Sequence, residues 1–487
     1  MKERELVGEW FLPGSNLKLS GQLLIDYEKR KIELVLYGTH YIEDLKINLS
    51  DHNNHSEFEH SIILGNTHFE SVSIINCRWI LTKPLGKDFY EVRYKGSMVL
   101  HRVHVNKLGD LRISKALLKF PYLSSWYDGT ESPFKLNYEI DRIPNSTSRL
   151  VEISKNLKFN FIDSFQKRDI KFGVSYQTNF EKLLEFEYND FIDFDELLRD
   201  AVRFCKLLEF SIRKKIQYKI FSITVGSSCL AKSDSKVNDS EWVRVSMTFF
   251  DSYSSAELID KHDIHQNFML ISAWVLPQNE LDHIIQKWYS NEAFFSIYDY
   301  YLDSHNWFEG TGAVLTSVMF NNRFLNLIQA LESYHKKIDI EYIRNVDNYN
   351  ANKSKITQLL NGDLTLINWF NDSIKGPREN FNLRERLQGL LSKVEPIIQH
   401  VLGTNNFFLS FPDKAKEYRH KLSHGDIEGM DLGQPLVLLF YQAQFILTLL
   451  ILGTFNFNEK VIVKLIKHNQ NCIRDLNEII LRMKKND

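Results

Sequence analysis

Apolar and polar positions alternate with period two along the first part of the chain and recur with a helical period after about residue 310. From Trp10 to about Asn145 short β-runs are separated by turns. Leu19–Ile25 and Lys31–Tyr37 flank the polar stretch Asp26–Arg30, which predicts a hairpin, and Ser61–Leu64, Ser71–Ile75, Tyr90–Tyr94 and Met98–Val105 predict further strands. This pattern implies a β-sandwich or barrel-like lobe over 1–148.

A second stretch, 149–308, mixes both periods. Ile216–Val225 and Trp242–Phe250 alternate as strands do, whereas Asp193–Phe210 carries apolar residues at helical spacing behind an Asp193/Glu196 capping signal. Between the two strands, Gly226–Ser240 has the composition of an exposed loop. Over 309–487 the pattern predicts an all-α bundle, with helices at Ala313–Lys337, Leu364–Lys375, Leu383–Leu402, Pro412–His424, Leu436–Leu452 and Asn458–Met483. Asn382 with Glu385 opens the third of these, and Pro396 marks a kink in it. The fold class expected is multidomain α+β, with a β-rich N-terminal region followed by a helical bundle.

A length of 487 residues exceeds the ~250–300 that one core serves, which agrees with several domains. Lys+Arg 60 against Asp+Glu 62 excludes a global basic coat, so contact with nucleic acid must come from a local cluster. The cysteines Cys77, Cys205, Cys229 and Cys472 form no CxxC pair, which argues against a disulfide framework or a cysteine-rich zinc module and for a reducing cytoplasm. The N-terminus has no apolar signal region. Pro435–Leu452 approaches the ~20 apolar residues that span a bilayer, but Gln442 and Gln444 interrupt its centre, which favours a buried bundle or dimer-interface helix over a membrane span.

The candidate chemistry lies at the end of the helix Pro412–His424. Ser410 and Asp413 form an S-x-x-D start signal, Pro412 occupies the first turn, and Gly425, followed by Asp426, supplies the exit. Arg419 and His424 then stand roughly 140° apart around the axis, so the arginine must reach around or two copies of the helix must face each other. A guanidinium can hold the non-bridging oxygens of a phosphodiester while an imidazole moves protons. With a ribose 2′-hydroxyl as nucleophile no metal is needed, and a metal-independent ribonuclease leaving a 2′,3′-cyclic phosphate is the leading reading. The bland reading is a helix terminus whose carbonyls are served by cations. A sharper rival is a metal-dependent hydrolase on His420 and His424, which are i,i+4 on one helix face, although Lys421 between them opposes a cation and no HExxH glutamate is present. Glu332 is more simply a surface or capping carboxylate, with a pairing to Arg419 across the core as the alternative, and Lys414, Lys416 and Lys421 are candidates to guide an RNA backbone or to form a solvated face. His101 and His104, on opposite faces of a strand, cannot jointly bind a metal, and Gly310-Thr311-Gly312 lacks the lysine of a phosphate loop.

Arg419-His420-Lys421-Leu422-Ser423-His424 has the R-polar-x-x-x-H form of the HEPN ribonucleases. With Gly8-Glu9-Trp10, Leu12-Pro13-Gly14, Ser20-Gly21 and the segment Arg323–His335, the chain resembles the ApeA family of bacterial anti-phage proteins over nearly its whole length. The resemblance implies a cytoplasmic RNase toxin, a homodimer or higher homo-oligomer, held quiet until a phage protein is sensed and then cutting host RNA, with transfer RNA a candidate target. It implies Arg419 as phosphorane stabiliser, His424 as acid/base, and His420 in the polar slot after the arginine, either catalytic or orienting. It implies no metal, no cofactor and no membrane. The competing class is a HEPN-like bundle that binds nucleic acid or a protein without cutting.

Overall fold

The computed structural model describes residues 3–39, 59–86, 89–128, 148–169, 176–213, 215–226, 242–249, 266–292, 297–301, 317–338, 346–373, 381–425 and 432–486. Gly310-Thr311-Gly312, Asp426, the start of the Ala313–Lys337 helix and nearly all of the Gly226–Ser240 loop lie outside them. The chain forms two compact units, each discontinuous in sequence. One comprises Met1–Leu208, Ile216–Ile264 and Pro277–Tyr289; the other comprises Glu209–Lys215, His265–Leu276 and Ser290–Asp487.

The first unit begins with a closed antiparallel barrel of β1 (Glu3–Phe11), β2 (Leu19–Asp26), β3 (Lys31–Thr39), β4 (Glu59–Thr67), β5 (Ser71–Pro84) and β6 (Phe89–Gly96). Its strand order is β4-β1-β2-β3-β6-β5, and β5 pairs back to β4. The predicted β2–β3 hairpin is present, with Asp26 Oδ1 accepting from the backbone N–H groups of Glu28 and Lys29 and Arg30 in the left-handed region. Alternate residues point inward, so Trp10, Leu23, Ile25, Leu34, Leu36, Ile63, Ile74, Val92 and Tyr94 fill the interior. Closure requires a glycine. Gly65 lies opposite Trp10 in the β1–β4 register, and a Cβ there would meet the indole ring at 2.3 Å.

Beyond the barrel, β7 (Met98–His101) pairs with β5 and starts a second run of strands. Its order is β7-β13-β12-β8-β11-β10-β9, with β8 (Ile113–Lys119), β9 (Ser148–Glu152), β10 (Leu157–Asp169), β11 (Tyr176–Ile192), β12 (Lys219–Gly226) and β13 (Trp242–Phe249). Helices α1 (Leu123–Asp128), α2 (Phe194–Ile212) and α3 (Gln278–Ser290) complete the β-rich region. Asp193 Oδ1 caps α2 by accepting from Glu196 N–H at 2.7 Å, as its sequence position implies. Buried rings do most of the filling here: Tyr127 stacks on Phe161 at 3.7 Å, and Phe159 packs against Phe186 and Phe204. Much of the aromatic richness is therefore core packing. His101 bridges Glu70 and Thr248, and His104 contacts the Gly65 carbonyl oxygen at 3.0 Å; both are satisfied core groups.

The second unit is helical: α4 (Ser317–Lys337), α5 (Val346–Leu359), α6 (Leu364–Ser373), α7 (Leu383–Leu402), α8 (Phe411–His424), α9 (Gln434–Thr454), α10 (Glu459–His468) and α11 (Gln470–Asn486). α9 is apolar on every side and packs against α4, α7, α8, α10 and α11. Two of its buried polar side chains are paired: Gln442 donates to the Phe407 carbonyl, and the Thr448 hydroxyl donates to the Gln444 backbone carbonyl and hydrogen-bonds Tyr301 Oη at 2.7 Å. Among the described residues it alone is long and apolar enough to cross a membrane, and here it is the core of the bundle. The Asn382/Glu385 capping box on α7 is complete, and that helix runs on through Pro396 to a left-handed Gly403.

Two expectations are corrected, and one helix is added to those expected. The S-x-x-D signal before α8 makes no cap: Ser410 already has helical backbone angles, which turn its side chain away from the capping geometry, and the Asp413 carboxylate pairs with Arg384 of α7 at 2.5 Å. The single helix expected over Asn458–Met483 is two, broken at extended Asn469, whose side chain accepts from Cys472 N–H. α5 belongs to none of the helices expected from the apolar pattern; its exposed polar surface leaves little periodic signal.

Within α2, burial raises the Asp200 carboxyl to about 6, although Tyr188 Oη donates to it at 3.0 Å. The folded state thus keeps a proton that an unfolded aspartate, titrating near ~3.9, has already released, so this group favours folding most on the acid side and the benefit is lost as pH rises through 6. Asp200→Asn is expected to raise the melting temperature at neutral pH by more than at about pH 4, where the folded carboxyl is protonated and the unfolded one is only about half ionised. Thermal unfolding of the two proteins across that range checks the sign.

Candidate functional site

α8 carries the residues of interest, and its helical period sorts them. Phe411, Pro412 and Ala415 are buried, with Tyr418 and Leu422 half-buried behind them, and this seam packs against α4, α7 and α9. The opposite face, with Asp413, Glu417, His420 and His424, is exposed. Pro412 starts the helix without losing a needed N–H group. Gly425 ends it at φ 72°, its N–H donating to the Lys421 carbonyl.

Arg419 stands between these faces. Its side chain is 39% exposed, and Nη2 lies 3.7 Å from Glu332 Oε2 on α4, a carboxylate only 13% exposed. That distance is an ion pair rather than a hydrogen bond, so the guanidinium is steered by Glu332 while keeping N–H donors to offer elsewhere. The Glu332–Arg419 pairing, raised from the sequence as the lesser alternative to a simple surface or capping carboxylate, is therefore present. His420 and His424 are both exposed, and their ring centres are 4.5 Å apart with planes tilted by 56°. These two imidazoles share one patch, whereas Arg419 lies roughly 100° and 140° around the axis from them.

The lysines do not form one surface. Lys414 and Lys416 are exposed on different flanks, and Lys421 Nζ is held by Glu417 Oε1 at 2.8 Å in the i,i+4 arrangement. Glu417 and Arg384 were missed as neighbours of the site by sequence reasoning. The E-x-x-x-K spacing signals the first, but the second comes from another helix and has no local signature. Among the described residues no cluster of three or more His, Cys, Asp or Glu side chains is arranged to hold a metal ion.

The arrangement is a helical bundle presenting an R-x4-H helix, with a guanidinium on the helix flank and two imidazoles on its solvent face. Residues 5–232 match the family model of ApeA N-terminal domain 1, and residues 325–461 match that of Apea-like HEPN, which contains Glu332 and all of α8. The chain belongs to the ApeA-like HEPN family, with the β-rich ApeA domain ahead of the HEPN bundle. No curated protein and no solved structure matches it.

Gly425 sits where a side chain is strained by the backbone angle, φ 72°, and among the described residues nothing lies within 4 Å of its Cβ direction. Gly425→Ala is expected to cost about 1 kcal/mol through the left-handed conformation. Chemical denaturation with an unchanged dependence on denaturant concentration would register that loss as a lower midpoint.

Proposed function

We propose that this protein is a metal-independent RNA endonuclease of anti-phage defence, acting in the cytoplasm and cutting host RNA, transfer RNA included, when a phage component is sensed. The observation that carries the reading is the His420–His424 pair, two exposed imidazoles 4.5 Å apart on the helix that also bears the Glu332-steered Arg419, within an Apea-like HEPN domain. One imidazole takes the proton of a ribose 2′-hydroxyl, whose oxygen attacks the adjacent phosphorus. The other, protonated, gives its proton to the departing 5′-oxygen as the P–O5′ bond breaks. The products are a 2′,3′-cyclic phosphate and a 5′-hydroxyl, and DNA, which has no 2′-hydroxyl, is spared.

Arg419 holds the non-bridging oxygens, where charge grows as phosphorus becomes pentacoordinate. Because the arginine and the histidines point in different directions, a second copy of the chain completes the site, each α8 lending its arginine to the other's histidines. Lys414 and Lys416 add backbone attraction along the RNA path. A homodimer is the smallest assembly that provides this.

A non-catalytic binding module is the second reading, and the Arg419–Glu332 ion pair favours it, since an arginine held by a carboxylate can be purely structural. Cells carrying the wild-type gene separate the two when infected with phage and their small RNA probed for 2′,3′-cyclic phosphate ends. Arg419→Ala is expected to lower cleavage by about 10²–10³-fold, as loss of one transition-state donor does, and His424→Ala by about 10²–10⁴-fold. Purified protein from the same cells should cut transfer RNA equally with and without EDTA. Cleavage undiminished in both folded variants, or abolished by the chelator, would overturn the ribonuclease reading as stated.

A further inference from the structure

The two imidazoles that the proposed RNA chemistry uses as proton carriers are also spaced as a pair of metal ligands. His420 and His424 lie i,i+4, roughly 40° apart around the axis, with ring centres at 4.5 Å and solvent on the far side. Metal–imidazole bonds are ~2.0–2.1 Å long, so two ligand nitrogens must come within roughly 3 Å of each other, and rings already this close reach that separation by side-chain rotation alone. Two ammonium groups flank the pair: Lys421 Nζ is held by Glu417 Oε1 at 2.8 Å and in sequence position projects to the side of the histidine face, while Lys416, one turn before His420, is exposed. Helical geometry thus holds two imidazole rings side by side before any metal arrives, which lowers the ordering cost of chelation.

We propose that His420 and His424 form a binding site for a transition-metal dication of the zinc class, with water completing its coordination, and that filling the site shuts off RNA cleavage. The second half rests on the ribonuclease reading; the first does not. A bound cation occupies the imidazole lone pairs, so neither ring can take the 2′-hydroxyl proton or carry one to the leaving oxygen. The site is inhibitory because the nucleophile belongs to the RNA and needs no metal-bound water.

The test uses the full chain, stripped with chelator and titrated with Zn²⁺ in a calorimeter, without RNA. The wild type is expected to bind one Zn²⁺ more per chain than His420→Ala or His424→Ala. Each variant should weaken that event on the order of a hundredfold or more, since even the groups behind a metal ligand are worth roughly 10–100-fold. His400, exposed and paired with Glu459 on another helix surface, is the control: His400→Ala should leave the event intact. Equal Zn²⁺ binding by wild type and both α8 variants, or loss only in His400→Ala, overturns the site. Circular dichroism of the variants separates lost ligands from lost fold. RNA cleavage then decides the shut-off. Zn²⁺ should abolish it at the concentration that fills the site, with recovery on adding EDTA, and cleavage that is unaffected or accelerated by Zn²⁺ overturns inhibition while leaving the binding result standing. A protein that binds Zn²⁺ as expected but never cuts RNA counts against the ribonuclease reading and the shut-off together, and not against the site.

Discussion

A helix that is apolar around its full circumference must be enclosed, and α9 imposes that requirement on the helical unit. Each of its buried leucines, isoleucines and phenylalanines is worth about 1.5–3 kcal/mol only while neighbours cover it. α4, α7, α8, α10 and α11 do so, and the Gln442 amide and Thr448 hydroxyl that α9 takes inside with it are matched to backbone carbonyls and to Tyr301. The position of α8 follows from this enclosure, because its narrow seam of Phe411, Ala415 and Leu422 is one of the surfaces recruited to the cover.

Once that seam is committed, the rest of α8 is set by the geometry of a helix. Residues on the seam cannot react with solvent-borne substrate, and those opposite cannot avoid it. His420 and His424 fall in the second class, and Arg419 falls on the boundary, where Glu332 from α4 can reach it. A short segment thereby separates a guanidinium from a pair of imidazoles. Under the proposed ribonuclease reading that separation calls for a second α8, from another copy, to complete the site, and it leaves the imidazole pair exposed to solvent.

The β-rich unit is organised by a different constraint. A six-stranded barrel has little interior volume, and one indole takes a large share of it. Trp10 can occupy that space because Gly65, directly across the closing register, has no side chain. Edges are removed by closure on one side, and β7 passes the pairing on to the second run of strands on the other. In that second region stacked rings around Phe159 and Phe161 replace aliphatic packing, which accounts for the phenylalanine and tyrosine content without invoking base stacking.

Local patterns determined most of the elements. The β2–β3 hairpin, the strands through Met98, the α7 capping box, the Gly425 exit and the helical period of the C-terminal region depend on neighbours in sequence, and the chain resolved them as its residue order implies. The motif Arg419-x4-His424 was legible for the same reason, as was the closeness of His420 and His424, which is a property of any helix. Elements with weak or competing local signals were not: α5 shows too little apolar periodicity, and the break at Asn469 interrupts a pattern that otherwise continues. Where two candidate partners competed, distance in the fold decided. Asp413 had Ser410 three residues away and paired with Arg384 across the bundle, while Arg419 took Glu332, eighty-seven positions earlier in the chain. Sequence alone determined which residues share a helix face. Which face is buried, and which charge waits on the next helix, only packing could decide, because burial is a relation between elements and leaves no trace in the spacing of either one.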